Sequence, residues 1–253
     1  MSDHLPGIII QARTGSTRLP HKMILDFYEG KGIFEIITDK LAASYQGVLP
    51  LILATTQNPA DQILVDIAQK KGLRVFCGDE NNVLDRFIKA AEKFNLTGII
   101  RVCADNPFLD VKHIDNYLKT AKKQSSDYIS YAFSSGKPVI QSHLGLFTEY
   151  AGLPALKKAA EYTQNPLYLE HVTNYIYTHP EKFDLNFLAL PSYLDQAEEI
   201  RLTLDTTEDF ALLQSVYSGM IKQKMSTENL VHWLKQQPAL LEQMHKNIQK
   251  NQK

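Results

Sequence analysis

Three cationic side chains fall within one short stretch near the N-terminus, namely Arg13, Arg18 and Lys22. The residues between them include Gly15, Ser16 and Thr17. Glycine lets the backbone approach a ligand closely and adopt a positive φ angle, while hydroxyl and amide groups can donate hydrogen bonds. Cations and free amide donors together suit a polyphosphate. The alternative is a solvated loop with incidental charge. We favour phosphate binding because the apolar segment 7–11 directly precedes the cations, and ligands bind where the strands of open α/β sheets end.

Two aspartates follow apolar segments much further along the chain. Asp105 comes just after the segment 98–103, and Asp205 directly follows 201–204. Carboxylates at the carboxyl ends of parallel strands face the ligand crevice of an α/β sheet. Both also have a structural interpretation, because Asp105 could cap an Asp-Asn-Pro turn, and Asp205 or Thr206 could cap the next helix. For Asp105 the residues alone leave both interpretations open, whereas for Asp205 they favour the cap.

The elements that must position these residues alternate between strand and helix. Apolar segments typical of buried strands occur at 7–11, 51–54, 73–77 and 98–103. Helical periodicity and capping residues predict helices at 32–44, about 58–71, 83–94 and 110–122. The expected N-caps are Asn58, Asn82 and Asp110, and Gly72 is the expected end of the second helix. This alternation predicts a mostly parallel sheet with right-handed crossovers.

The alternation breaks down after residue 127. Strands are predicted at 128–132, 139–147, 184–190 and 201–204, with a turn at 136–138 and a helix from Asn165 to Pro180. We expect one domain spanning 1–253, in which the irregular part, about 128–191, serves substrate binding and dimerisation. From about residue 207 onward the pattern predicts a helical C-terminal tail.

Composition limits the class of protein. The chain has 253 residues, of which 44% are hydrophobic and 22% charged, as in ordinary soluble globular proteins. Its net charge is −1, so no overall basic field favours nucleic acid as a partner. Two cysteines, Cys77 and Cys103, are too few for a disulfide framework and are predicted to be small core residues in a reduced, cytoplasmic setting. The first six residues lack a signal-peptide pattern, and no apolar run is long enough to span a membrane, so no membrane association is expected.

Several short motifs together carry a family resemblance. They are Gln11-Ala12-Arg13, Gly15-Ser16, Arg18-Leu19-Pro20 and Lys22. This set resembles the N-terminal signature of the CMP-sugar cytidylyltransferases, which include the 3-deoxy-manno-octulosonate and acylneuraminate enzymes and in which the loop wraps the triphosphate of CTP. Leu84-Asp85-Arg86 and Glu170-His171-Val172-Thr173 are similar to the spore coat polysaccharide biosynthesis branch of that family. The resemblance runs from residue 7 to about 210. It implies a Rossmann-like, three-layer α/β/α nucleotidyltransferase fold of the nucleotide-diphospho-sugar transferase type with a mostly parallel sheet.

The resemblance also implies roles for individual residues. The expected nucleotide-binding residues are Ala12, Arg13, Gly15, Ser16, Arg18, Lys22, Thr55, Asp85 and Arg86. Asp105 and Asp205 are expected to bind Mg²⁺ and to form the catalytic set with Arg13 and Lys22. Glu170 and His171 are expected on the substrate side. Without the resemblance, Asp85 and Arg86 would be a surface pair near a helix start, and a lone histidine on a helix is more often structural or solvated.

The implied reaction joins CTP to a sugar, either an acidic sugar or another sugar of cell-surface polysaccharides, and gives a CMP-sugar and pyrophosphate. The expected partners are CTP and the sugar, with Mg²⁺ as cofactor and the protein as a homodimer. Between 141 and 147 the sequence lacks the acidic stretch of the spore coat branch, so the sugar is not carried over. Two alternatives stay open: a sugar-phosphate nucleotidyltransferase that uses another NTP, and a catalytically inactive nucleotide-binding partner in polysaccharide biosynthesis. The retained Lys22, Asp105 and Asp205 argue against the second.

Overall fold

Short apolar segments form a central seven-stranded sheet in the computed structural model, which describes residues 5–251. The strands are β1 (Gly7–Gln11), β2 (Leu51–Thr56), β3 (Arg74–Gly78), β4 (Gly98–Cys103), β5 (Tyr128–Ala132), β6 (Glu149–Gly152) and β7 (Leu185–Ala189). Their order across the sheet is β3-β2-β1-β4-β6-β5-β7. β6 is antiparallel to β4 and β5, and all other neighbouring strands are parallel. The predicted mostly parallel sheet is therefore confirmed.

Helices cover both faces of this sheet. They are α1 (Ile33–Tyr45), α2 (Gln62–Lys70), α3 (Val83–Lys93), α4 (Ile114–Lys123), α5 (Leu153–Tyr162), α6 (Pro166–Glu170), α7 (Asn174–Thr178), α8 (Thr207–Lys222), α9 (Thr227–Lys235) and α10 (Pro238–Lys250). Side chains alternate across a strand, so Ile8 and Ile10 pack into one core with α1, α4 and α8, while Ile9 packs into a second core with α3 and α5. These layers confirm the predicted three-layer α/β/α fold.

The helix signals in the first half of the chain are confirmed at their caps. Asn82 accepts a hydrogen bond from Asp85 N at the start of α3. Asn58 and Asp110 cap short 3₁₀ turns that lead directly into α2 and α4. Gly72 has a φ of +74° just after α2, as expected of a residue that ends a helix.

Two predicted strands of the second half are wrong. At 139–147 the chain forms a 3₁₀ turn, Val139–Gln141, and then a loop in which the Ser142 hydroxyl bonds to the Val139 carbonyl. The strand comes later, at β6. The segment 201–204 is extended but makes only isolated bonds, from Leu202 N to His143 O and from Leu204 N to Asp105 O, instead of a continuous ladder.

Two further expectations need correction, and one helix was missed. The helix predicted from Asn165 to Pro180 is two short helices, α6 and α7, because the backbone leaves helical geometry at His171. Helix α5 was not predicted at all. Cys77 is exposed because β3 lies at the sheet edge, and Cys103 is half-buried, so neither is a core residue. The region 128–191 contributes three strands to the common sheet.

Within residues 5–251, no helix has the length and apolar character needed to cross a membrane.

Candidate active site

A polar cleft of about 310 Å³ opens where β1 and β4 end. Nine of its lining residues were expected at the site from the sequence, namely Ala12, Arg13, Ser16, Arg18, Lys22, Asp105, Glu170, His171 and Asp205. They come from the N-terminal loop, from the loop after β4, from the α6 end and from the segment before α8. The fold thus brings together residues that are far apart in sequence, at the edge of the sheet where open α/β folds bind ligands.

The cationic loop, residues 12–23, is anchored by a buried carboxylate that sequence reasoning missed. Asp61, just before α2, accepts hydrogen bonds from the backbone N–H and the hydroxyl of Thr14, at 2.7 and 2.6 Å. Its other oxygen accepts the hydroxyls of Thr55 and Thr56. Burial alone would raise the pKa of Asp61, but the hydrogen bonds from Thr14 and Thr56 outweigh burial and lower that pKa. Asp61 therefore fixes the loop to the end of β2.

The left-handed residue in this loop is His21, with a φ of +59°, whereas Gly15 has no positive φ. Left-handed backbone is costly for a residue with a side chain and persists where the surroundings require it. His21 N donates to the Thr14 carbonyl, and His21 O accepts from Ile24 N. The resulting turn places the next residue, Lys22, inside the cleft with only 7% of its surface exposed.

Lys22 lies between the two candidate metal ligands. Its Nζ is 3.4 Å from Asp105 Oδ2 and 3.5 Å from Asp205 Oδ1. The same Nζ donates to the carbonyl of Leu204 at 2.7 Å. A buried ammonium between two carboxylates marks a position where positive charge is strongly favoured. The two aspartates of the sequence analysis therefore converge on one point.

Asp205 is not the cap of α8. The N-cap is Thr206, whose hydroxyl accepts from Asp209 N at 3.2 Å. The Asp205 carboxylate instead points toward cations, with Oδ1 2.9 Å from Arg18 Nη2 and Oδ2 3.0 Å from Arg201 Nη2. The cap that the residues alone placed at Asp205 or Thr206 is therefore Thr206, whereas the Asp205 side chain faces the cleft.

Arg201 and Asp209 hold Asp205 from behind. Arg201 is fully buried and donates to both Asp209 oxygens, at 2.8 and 2.6 Å. Burial alone would raise the pKa of Asp209, but the hydrogen bond and charge of Arg201 lower it. For Arg201 burial alone would lower the pKa, but the hydrogen bonds and charges of Asp209 and Asp205 raise it. Arg201 and Asp209 are therefore ionised at neutral pH. The pair was not found from the sequence, although a basic and an acidic residue on either side of a possible helix cap could have indicated it.

The loop and the end of α6 also contribute to the cleft lining, through Arg13, Glu170 and His171. Arg13 lies 3.8 Å from Glu80 and 3.6 Å from Glu170, and all three side chains are at least one-third exposed. Exposed pairs of this kind contribute little to stability, so Arg13 can exchange partners for a ligand. Glu170 and His171 line the cleft, as the resemblance implied.

A buried polar network forms part of the cleft lining and was also missed. Arg101 of β4 donates to Glu149 Oε1 at 2.6 Å and to Gln11 Oε1 at 3.1 Å. Tyr128 donates to the other oxygen of Glu149 at 2.6 Å. The sequence did contain a signal for this network, namely an arginine inside the apolar run of β4, because a buried charge requires a partner. Arg101 and Gln11 both contact the cleft, so the network fixes its shape.

Four residues expected at the nucleotide do not line the cleft, namely Gly15, Thr55, Asp85 and Arg86. Thr55 is buried and bonds to Asp61, and Asp85 pairs with Lys89 along α3. Arg86 is almost fully buried and donates to the Asp79 carbonyl at 2.6 Å. Burial and then the nearby charge of Arg13 lower the pKa of Arg86 to about 10. Of these residues, Thr55 supports the loop through Asp61, and Arg86 lies near Arg13.

The cleft residues fit a magnesium ion. Asp105 and Asp205 supply hard carboxylate oxygens, and Lys22 already occupies a cationic position between them. Within residues 5–251, no group of three or more His, Cys, Asp or Glu side chains is arranged to hold a metal ion. Mg²⁺ commonly takes one or two carboxylates and completes its shell with phosphate oxygens and water. The donor set therefore suits Mg²⁺ bound together with a polyphosphate.

The fold is of the α/β class, with a polar cleft at the carboxyl ends of its parallel strands. The family model described as "Cytidylyltransferase" matches residues 7–248, so the chain belongs to the cytidylyltransferase family. This confirms the resemblance seen in the sequence.

Individual relatives agree with this assignment. An uncharacterized protein of Methanocaldococcus jannaschii, MJ1063, is 35% identical over 96% of this chain and 93% of its own length. The spore coat polysaccharide biosynthesis protein SpsF of Bacillus subtilis is 35% identical over 83% of this chain and 85% of its own. The solved structure of a cytidylyltransferase from Leptospira borgpetersenii superposes with a TM-score of 0.81 at 28% identity, covering 94% of this chain and 97% of that one.

Proposed function

We propose that this protein transfers the cytidylyl group of CTP to a hydroxyl of a sugar, giving a CMP-sugar and pyrophosphate. The observation that carries the proposal is the convergence of Lys22, Asp105 and Asp205 at one point of the cleft. Arg13 and Arg18 of the same loop add two cations beside that point. Membership of the cytidylyltransferase family supports CTP as the donor, and similarity to a spore coat polysaccharide biosynthesis protein supports a sugar as the acceptor.

The proposed chemistry follows from charge. The sugar hydroxyl gives its proton to solvent as its oxygen forms a bond to the α-phosphorus, and the bond from that phosphorus to the bridging oxygen of the leaving pyrophosphate breaks. Negative charge develops on the leaving pyrophosphate and on the phosphoryl oxygens. Lys22, Arg13 and Arg18 can stabilise this charge, and contacts with Leu204 and Asp205 hold Lys22 and Arg18 in place before the substrate arrives. Such preorganised electrostatic stabilisation supplies much of the rate enhancement in many enzymes.

We propose that Asp105 and Asp205 hold Mg²⁺ in the substrate complex. The ion would neutralise phosphate charge and orient the triphosphate. Asp205 is held by Arg201 and Asp209, so its carboxylate does not reorganise freely. Asp105 is 30% exposed at its side chain and pairs with Lys22, which leaves it accessible from the cleft. The homodimer and the cytoplasmic location stay predictions.

The most informative experiment is a thermal-shift panel with CTP, ATP, GTP and UTP, each with and without Mg²⁺. A ligand present at 100 times its Kd stabilises a protein by about 2.7 kcal/mol. We expect the largest increase in melting temperature with CTP plus Mg²⁺. An equal increase with all four nucleotides, or none with any, would contradict the cytidine assignment. A larger increase with another NTP would favour a nucleotidyltransferase of different donor specificity.

A further inference from the structure

The C-terminal helix α10 reaches the candidate active site through two asparagines. Asn251, just after the helix, accepts a hydrogen bond from Arg18 Nη1 at 2.8 Å through its Oδ1. Asn247, one turn earlier and buried, donates from Nδ2 to Asp209 Oδ1 at 3.1 Å. The two asparagines are themselves joined, because Asn251 Nδ2 donates to the Asn247 carbonyl at 2.9 Å.

These contacts close a ring of hydrogen bonds, which we call the C-terminal ring. Its six members are Arg18, Asp205, Arg201, Asp209, Asn247 and Asn251. Half of the ring consists of buried charges that pair with one another, Arg201 with Asp209 and with Asp205. The other half is the C-terminal helix and Arg18. Each member of the ring thus has two contacts within it, although one of the two for Asn247 ends on its backbone carbonyl.

We propose that Asn251 and Asn247 are positioning residues for the active site. Asn251 holds the Arg18 guanidinium at the mouth of the cleft, ready to meet the triphosphate. Asn247 holds Asp209, and Asp209 fixes both Arg201 and the backbone N–H of Asp205, at 3.0 Å. The helix therefore acts on two cleft residues by separate routes. This inference deepens the proposed function, on which it rests.

The ring also explains why an exposed side chain keeps a defined place. The Arg18 side chain is 52% exposed, and a long exposed arginine ordinarily samples many rotamers. Here its two terminal nitrogens have different partners, Asn251 Oδ1 and Asp205 Oδ1. Ordering a side chain in advance reduces the entropy lost on ligand binding. Asn251 therefore contributes to affinity for a polyphosphate even where it does not touch the ligand.

The test is a double-mutant cycle on CTP affinity, measured by calorimetry in the presence of Mg²⁺. The proteins are wild type, Asn251→Ala, Arg18→Ala and the double variant. Gln249→Ala is the matched control, because Gln249 is exposed on the same helix and its amide hydrogen-bonds to His245, one turn away and outside the ring. We expect Asn251→Ala to weaken CTP binding roughly fivefold, which corresponds to about 1 kcal/mol. In the Arg18→Ala background the same substitution should have no further effect, and Gln249→Ala should match the wild type.

Asn247→Ala should show a different signature. It should raise the Mg²⁺ concentration needed for half-maximal CTP binding while leaving affinity at saturating Mg²⁺ close to that of the wild type. A merely structural role would instead weaken all binding in proportion to lost stability, for both asparagines. An equal loss from Asn251→Ala in both Arg18 backgrounds, or no loss in either, would overturn the proposal.

Urea unfolding of the same four proteins tests the C-terminal ring independently of the proposed function. Asn251→Ala should lower the urea midpoint only when Arg18 is present, whatever the nucleotide specificity. If the wild type fails to bind CTP, the proposed function fails. The contact between Asn251 and Arg18 would then be supported by non-additive midpoints and refuted by additive ones.

Discussion

The Asp209 carboxylate accepts a hydrogen bond from the backbone N–H of Asp205 at 3.0 Å. Thr206, which caps α8, and Asp205, which faces the cleft, are therefore adjacent in the sequence but have separate roles. Thr206 completes the cap with Asp209, and the Asp205 side chain is left to pair with Arg18, Lys22 and Arg201. Substitutions at these two adjacent positions should separate stability from chemistry.

Asp205→Asn should fold normally and lose turnover by roughly 10²-fold or more, because charge stabilisation by a metal is worth several kcal/mol. Its Mg²⁺ requirement should move to higher concentration. Thr206→Ala is the matched control and should lower the free energy of unfolding by about 1 kcal/mol, with little change in turnover. Chemical unfolding and steady-state kinetics on both variants check this. Full turnover in Asp205→Asn would show that its carboxylate is not needed.

Lys22→Met should slow turnover more than it weakens CTP binding. The substitution keeps most of the apolar stem and removes the charge, which matters most where negative charge develops in the transition state. A loss of roughly 10²–10³-fold in turnover is typical of one electrostatic stabiliser. Lys31→Met is the control, since Lys31 is exposed and pairs with Asp39 outside the cleft. If Lys22→Met loses affinity and turnover by the same factor, Lys22 only holds the nucleotide.

Asp61→Asn should reveal a pH-dependent contribution of the loop anchor. The pKa of Asp61 is lowered in the folded protein, so its carboxylate contributes stability at neutral pH that is lost as the pH falls through the folded pKa. The difference in unfolding free energy between wild type and Asp61→Asn should be largest near pH 7 and shrink below about pH 4. Urea unfolding at several pH values measures it. Asp66→Asn, at an exposed position of α2, controls for the effect of an Asp-to-Asn substitution as such. A flat difference for Asp61→Asn would refute the role of its charge.

Gly145→Ala should disturb the cleft through the segment that carries Asp205. Gly145 has a φ of +64°, and an added Cβ would lie 2.8 Å from the carbonyl of Leu202. Gly136 is the matched control, because it has a φ of +83° but no atom within 4 Å of an added Cβ. Both variants incur backbone strain of about 1–3 kcal/mol, and only Gly145→Ala should also reduce turnover of the folded protein. Equal turnover in the two variants would show that the contact with Leu202 is not needed for the site.

The first half of the chain could be predicted because its signals are local. Buried parallel strands such as β1 and β4 are short apolar runs, and Asn82 and Gly72 mark helix ends by residue type. The cationic loop was recognised for the same reason. Family resemblance then supplied the role of Asp205, for which the residues alone favoured a helix cap.

In the second half, the strands expected at 128–132 and 184–190 and the helical tail from about 207 match β5, β7 and α8 to α10. Other parts of that half could not be predicted, because distant contacts decide their structure. The segment 201–204 is apolar like a strand, yet its N–H groups bond to His143 and Asp105 in two different loops. Asn247 and Asn251 are ordinary polar residues of an amphipathic helix, and only the packing of α10 shows that they reach Asp209 and Arg18. Sequence periodicity carries no information about such partners.

The most direct test of the central claim is pyrophosphate release from CTP, with Mg²⁺ and a panel of acidic sugars, neutral sugars and sugar phosphates. The account predicts that the wild type releases pyrophosphate in step with formation of a CMP-sugar for at least one acceptor. Asp205→Asn and Lys22→Met should release it far more slowly, by roughly 10² or more. A wild-type protein that binds CTP but releases no pyrophosphate with any acceptor would contradict the account and favour a nucleotide-binding partner without catalysis.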